Sequence, residues 1–494
     1  MSAHFDRFAG VSALRSAVRR AQPAHAEVRA DLPQGAERLL WLLGAACARN
    51  RYGEHLQLQR WFAEPAGCAA PNGALEVLVP GGAGSGAACA ADPAQWLFLD
   101  TETTGLAGGT GTYAFLVGVA WWEAGGLQVE QFFMRDYTEE HSMLEALAER
   151  LRQRPVLVTY NGKTFDWPLL ETRYRMTRCI PGPEPAAHLD LLHAARVLWR
   201  LRLGSVRLAE IERQVLGQNG GLPWSRAGDV RSEMIPHIYF QFLRGGSPGL
   251  LIDVLRHNQM DLRGLALLAG RVIALLNDPE AAEADAHEWY GVSRMVRRRA
   301  PHQSKRARAL FERSRQAGLP APLDLAALRE LAVLARRERD HARAAALWEE
   351  LLARGAATLG CAGSLEADVA QPVGPGLDWF FSSRPAGERK LTPTQDDVAQ
   401  PGVAVLLEAL EQLAIHAERR LRDPARALAF TRAAMAALRA ATRAGLVHAG
   451  RAMRLRNTLE KRRNRLLGEM GTAGEEKPPE SADLGPRLPD FLTS

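Results

Sequence analysis

Four carboxylates and one histidine are spaced so that they could gather divalent cations. In LFLDTETTG (97–105), Asp100 and Glu102 lie two apart at the end of an apolar run. On a β-strand, residues i and i+2 share a face, so both carboxylates converge on one point. Two anions on one face of a buried strand repel and lose their water unless cations neutralise them. Hard divalent ions with oxygen ligands would do so. In TYNGKTFDWPLL (159–170), an apolar strand runs into an Asn161-Gly162 turn, and Asp166 follows near a helix start beside Pro168. Helix capping is the competing explanation for that Asp. In VLRHNQMDLRGLALLAGRVIALL (254–276), His257 and Asp261 are four apart, hence on one helix face and about one turn from each other. A carboxylate inside so apolar a helix needs a cation. Arg256 and Arg263 are the partners offered on the same helix, and a purely structural role is the alternative for His257.

The elements that must position these residues form an α/β pattern. WLFLD (96–100), YAFLVGVAWW (113–122) and LQVEQFFMR (127–135) read as three successive strands. HSMLEALAERL (141–151) is helical by its apolar spacing, and VLVTY (156–160) is a buried strand expected beside the first. HLDLL (188–192) fits a fifth strand or the start of the next helix. Helices follow around 191–199, 207–216, 234–243 and 250–276. The fold class expected is a mixed sheet flanked by helices over 95–277, then an all-α, repeat-like region.

After residue 280 the strand patterns stop. Two helical hairpins, 325–355 and 407–438, echo each other in RRERDHARA (336–344) and RRLRDPARA (419–427), and such units resemble tetratricopeptide repeats. The domain division read from these patterns begins with residues 1–94, to which no chemistry is assigned, although HLQLQRWF (55–62) alternates like a strand. The α/β domain spans 95–277, a basic connector 278–322, and the helical region 323–470. A Gly/Pro-rich insertion interrupts that region at 356–402, and 471–494 form a polar, disordered tail.

Taken together, Asp100 and Glu102, then Asp166, then His257 and Asp261, in this order and on these elements, resemble the DEDD exonuclease superfamily, whose fold is ribonuclease H-like. Tyr160, Asn161, Phe165, Asp166 and Pro168 are similar to the second motif of polymerase proofreading domains. With GTYAFLVGVAWW, DLLHAARVLWR and the trailing hairpins, the layout looks like the YprB-type ribonuclease H-like proteins of bacteria. The resemblance implies two Mg²⁺ or Mn²⁺ ions about 3.5–4 Å apart. Asp100 would bridge them, Glu102 and Asp261 would hold the ion beside the attacking water, and Asp166 would act through the second ion. His257 would take the proton from that water, and Thr101, Thr103, Leu106, Asn161 and Phe165 would grip the terminal nucleotide. One departure stands out: His257 occupies the spacing at which the superfamily usually carries Tyr. Asp190 is read as a helix cap and left out of the site.

The implied activity is metal-dependent 3′–5′ hydrolysis of DNA or RNA, with a single-stranded 3′ end as the substrate. The alternative is a nucleic-acid-binding interaction protein whose helical repeats recruit a protein partner. Composition is consistent with both. Of 494 residues, 47% are hydrophobic and 24% charged, which excludes a fibrous or wholly disordered chain. No uncharged apolar run approaches the length of a membrane span, and the first twenty residues do not read as a secretory leader. The five scattered cysteines form no CxxC pair, so a reducing cytoplasm is the expected compartment. The net charge of +6 is concentrated in two segments, nine Lys/Arg against Glu312 over 294–315 and seven against Glu460 over 451–465. Such segments are either solvated helix faces or surfaces that meet a polyanion.

Overall fold

The computed structural model describes residues 35–63, 70–71, 73–79, 85–105, 110–123, 125–217, 222–358, 403–443 and 447–472. The expected insertion at 356–402 and the tail from 471 fall almost wholly outside these residues.

Seven strands form one mixed sheet in the order β1-β2-β5-β4-β3-β6-β7. They are β1 (Ala46–Asn50), β2 (Gly53–Phe62), β3 (Trp96–Thr103), β4 (Ala114–Glu123), β5 (Gly126–Phe133), β6 (Val156–Thr159) and β7 (Ala187–Asp190). β1 through β4 and β5 pair antiparallel, whereas β3–β6 and β6–β7 run parallel. HLDLL is both of the things its sequence allows. His188–Asp190 end β7, and Leu191 begins a helix that Asp190 caps through the Leu192 amide.

β4 is buried almost end to end because helices cover both faces of the sheet there. Alternation along β3 divides the core. Trp96 and Phe98 face one apolar cluster, Leu97 and Leu99 the other. The second cluster is closed by α2 (Glu140–Gln153), α3 (Asp166–Thr177) and α5 (Ile235–Leu243), with α1 (Gly35–Leu43) at its rim. The first is closed by α4 (Leu191–Leu203) and most of α6 (Gly249–Asn277). α6 serves both clusters. Its Leu251, Val254 and Leu255 join one and Leu262 onward the other, and the polar stretch 257–261 falls between them.

Two boundaries drawn from sequence are crossed by the structure. β1 and β2 lie before residue 95, yet they form the far edge of the same sheet. The basic connector 278–322 is itself a helical hairpin, α7 (Ala286–Arg299) and α8 (Ser304–Gln316). Val292, Val296 and Phe311 of that hairpin are continuous with the core under the sheet. Beyond it, α9 (Ala321–Arg337), α10 (His341–Thr358), α11 (Val403–His416), α12 (Pro424–Arg443) and α13 (Ala449–Thr472) pack each on the next. The echoed turns share one geometry. Arg339 and Arg422 are left-handed, and Asp340 and Asp423 each accept a hydrogen bond from the amide three residues on, at 3.0 and 2.8 Å. No described helix is long and apolar enough to cross a membrane.

Candidate active site at the open end of the sheet

β3 and β6 pair only as far as Phe98 and Val158. Beyond that point β3 continues while β6 turns away into α3, which opens a crevice at the carboxyl ends of these parallel strands. Open α/β sheets bind ligands at such places. Burial along β3 changes at the same point, from fully buried Trp96–Leu99 to part-exposed Asp100–Thr103. Asp100 and Glu102 therefore emerge on one face where the sheet parts.

Asp166 reaches the crevice from the other side. The turn between β6 and α3 passes through Asn161, whose φ of +71° is left-handed, a conformation Asn tolerates better than most residues. Asp190 holds this turn, accepting from the Asn161 amide at 2.8 Å and the Lys163 amide at 3.1 Å. Asp166 is the first residue of α3 and does not cap it. The N-cap position belongs to Phe165, and the Asp166 carboxylate instead accepts from the Thr101 hydroxyl on β3 at 2.5 Å. The capping explanation for Asp166 therefore gives way to a contact between two elements.

α6 closes the site from above the sheet. Gly118 of β4 lies beside Asp100 in register, and a Cβ there would come within 2.1 Å of Asn258 Oδ1. The missing side chain lets Asn258 reach the strand and donate to Asp100 at 2.7 Å, while Gln131 donates to Asn258 at 2.8 Å. One residue earlier on the helix, His257 is buried. Its Nε2 faces Asp261 at 3.5 Å and Glu102 at 3.9 Å.

The cation beside Asp261 is neither Arg256 nor Arg263. It is Arg226, from the loop after the helical segment 208–216. Arg263 lies instead between the rings of Phe62 and Trp224, 4.1 and 4.2 Å from their centres. A second residue of that loop, Asp229, meets His257 Nδ1 at 2.9 Å. Neither Arg226 nor Asp229 stands out in the sequence, because a loop carries no period; SRAGD (225–229) offers only a turn pattern. Asn258 had a visible signal, since His257, Asn258 and Gln259 interrupt an apolar helix.

Electrostatics separates these groups. Burial, then the charges of Asp261 and Asp166, push the Asp100 carboxyl well above its ordinary value. Burial and Asp100 do the same to Glu102. Asp166 is pushed up to about 6 by burial, against the Thr101 hydrogen bond. Burial works against a charged His257 ring, but the hydrogen bond to Asp229 and the charges around it raise its pKa. Asp229 itself is lowered, its His257 contact outweighing burial.

Of the other expected contact residues, Thr103 donates to the Gly105 carbonyl at 2.8 Å within the turn after β3. Phe165 is 47% exposed, so its ring is not part of the core. Leu106 lies outside the described residues. Among the described residues no three His, Cys, Asp or Glu side chains are already arranged to hold a metal ion. The donor chemistry nevertheless suits a hard cation. Asp100 and Asp166 form no ion pair among the described residues, and Glu102 has none beyond His257.

Residues 97–273 match the RNase_H_2 family of the RNase_H superfamily. This segment is a ribonuclease H-like domain. It contains all four carboxylates, His257 and the Arg226 loop. "Uncharacterized protein YprB" of Bacillus subtilis (strain 168) is 32% identical over 257 residues, covering 51% of this chain. The chain spans 59% of the length of that relative.

Proposed function

We propose that the protein is a metal-dependent 3′–5′ exonuclease of the DEDD type, hydrolysing phosphodiester bonds of DNA or RNA. One observation carries the reading: Asp100, Glu102 and Asp166 converge from two elements on one crevice without the cationic partners that buried carboxylates require. With Asp261 they offer the oxygen donors of two Mg²⁺ or Mn²⁺ ions. Ions held there would neutralise the acids, draw charge from the scissile phosphate and activate water for attack.

The remaining residues have roles of their own. Asp229 occupies His257 Nδ1, which turns Nε2 toward Glu102 and Asp261, where it can accept the proton of the attacking water. Thr101, Thr103 and Asn161 would contact the terminal nucleotide, and the exposed Phe165 ring offers a face on which a terminal base can stack. The 3′–5′ direction follows from the likeness of the second motif to proofreading domains.

End-labelled single-stranded DNA and RNA, incubated with Mg²⁺, Mn²⁺ or EDTA, test the proposal. The expected result is a ladder shortening from the 3′ end, abolished by EDTA and by Asp100→Asn. Absence of cleavage of either polymer with Mn²⁺ would sink it. Cutting of a circular single strand would mark an endonuclease instead.

A further inference from the structure

Arg226 stands where the acidic site lacks a cation. Its Nε and Nη2 each lie 2.6 Å from a Glu212 oxygen, Nη1 lies 3.0 Å from Asp229, and Nη2 also meets Asp261 Oδ1. Glu212 is the anchor. It is buried, and its Oε1 fills the space left by Gly264 on α6, where a Cβ would come within 2.1 Å. Three of the guanidinium's bonds therefore fix it to Glu212 and Asp229 independently of Asp261. Asp261 in turn has Oδ1 on the Arg226 guanidinium and Oδ2 facing the His257 ring, so both its oxygens already face protein groups.

We propose that Arg226 is the resident counter-cation of Asp261, and that a divalent ion reaches Asp261 only by exchange against it. This rests on the reading that the acids hold divalent ions. The asymmetry follows from the contacts. An ion that engages Asp100, Glu102 and Asp166 displaces nothing positively charged, whereas an ion at Asp261 must part Nη2 from Oδ1. A fixed positive charge beside a cation site lowers its affinity. Arg226 thus sets how tightly the Asp261 side takes metal, and the exchange moves its loop. Trp224 reports that movement. It lies two residues before Arg226, its Nε1 is 3.4 Å from Glu212, and its ring covers Arg263.

The test is calorimetric titration of the full chain with Mn²⁺, alongside tryptophan fluorescence with Mg²⁺. Arg226→Gln and the double variant Arg226→Gln/Glu212→Gln, in which Glu212 is not left as a buried carboxylate without its arginine, should each bind Mn²⁺ about tenfold more tightly than wild type. Arg226→Lys should stay near wild type. Mg²⁺ should change the wild-type fluorescence, and Trp224→Phe should remove that change. Unchanged or weaker Mn²⁺ binding in a double variant that still unfolds cooperatively would overturn the proposal. Failure of the underlying reading looks different: wild type and Asp100→Asn would then show the same absence of Mn²⁺ binding, which overturns both.

Discussion

Glu130 and Asp100 lie in the same sheet two strands apart, and their carboxylates have opposite surroundings. Glu130 is fully buried on β5, where Arg150 donates to it at 2.5 and 2.9 Å and Gln59 at 2.9 Å. Burial alone would raise its pKa, but these partners hold it below the ordinary value. Glu140 is matched in the same way by Arg173, both nearly without exposure, and Asp324 by Arg315 and Arg354 in the helical stack. The described side chains that meet Asp100, Glu102 and Asp166 are a carboxamide, a distant imidazole and a hydroxyl. Glu130, Glu140 and Asp324 are supplied with arginine, whereas this set is left short of charge. A site made for an external cation has that property, and a structural ion pair does not.

Substitution should expose the contrast most strongly. Arg173→Ala orphans Glu140 and should cost about 3–5 kcal/mol of stability in urea denaturation. Asp100→Asn removes a repelled anion, so it should cost little or raise the melting temperature of the metal-free protein while cleavage falls to background. If both variants were equally destabilised, the Asp100 cluster would be an ordinary structural network. His257→Ala should lower turnover by roughly 10²–10⁴-fold with Mn²⁺ binding kept, as expected for a general base. Equal turnover in the alanine variant would make His257 a packing residue.

The two sets should also respond oppositely to pH. Asp166, pushed up to about 6, keeps a proton in the folded state that the unfolded chain releases near pH 4. Metal-free stability should therefore fall as pH rises through that window, by up to about 3 kcal/mol from this group. Asp100 and Glu102 act in the same direction. Glu130, held below its ordinary value, contributes stability that is lost only as pH falls through its lowered pKa. Thermal melts between pH 3 and 7 of Asp166→Asn and Glu130→Gln check this. The first should flatten the upper window and the second the lower.

The smallest effect belongs to the basic hairpin. Arg297 pairs with Glu330, Arg308 with Glu338, and Arg306 donates to the Leu276 carbonyl, so the run 294–308 is partly spent inside the helical stack. Arg298, Arg299 and Lys305 remain exposed. If Arg298 and Arg299 meet phosphates, replacing both with Ala should flatten the salt dependence of single-strand binding by about 0.7 per contact. An unchanged slope in filter binding would leave them as a solvated helix face.

Much of the fold was legible because local period reports burial. The β3–β6 strands, the helical hairpins and the recurring Asp340 and Asp423 turns all follow from spacing within a few residues. The same logic put Asp100 with Glu102 on one strand face and His257 with Asp261 on one helix face. Period could not show that β2 joins β5, since a strand's partner is not written in its own alternation. It gave no sign that the α7–α8 hairpin shares the core under the sheet, because charge in a sequence does not reveal which arginines find acids. Nor could it distinguish Arg226 from Arg256 or Arg263 as the partner of Asp261. Those two are neighbours along the helix, but a guanidinium binds the carboxylate it can reach in space, and the absent side chains at Gly118 and Gly264 settle what can come close. Composition and spacing thus determined which residue types could do chemistry and on which faces they stand, and tertiary packing alone decided which of those anions would be neutralised from within.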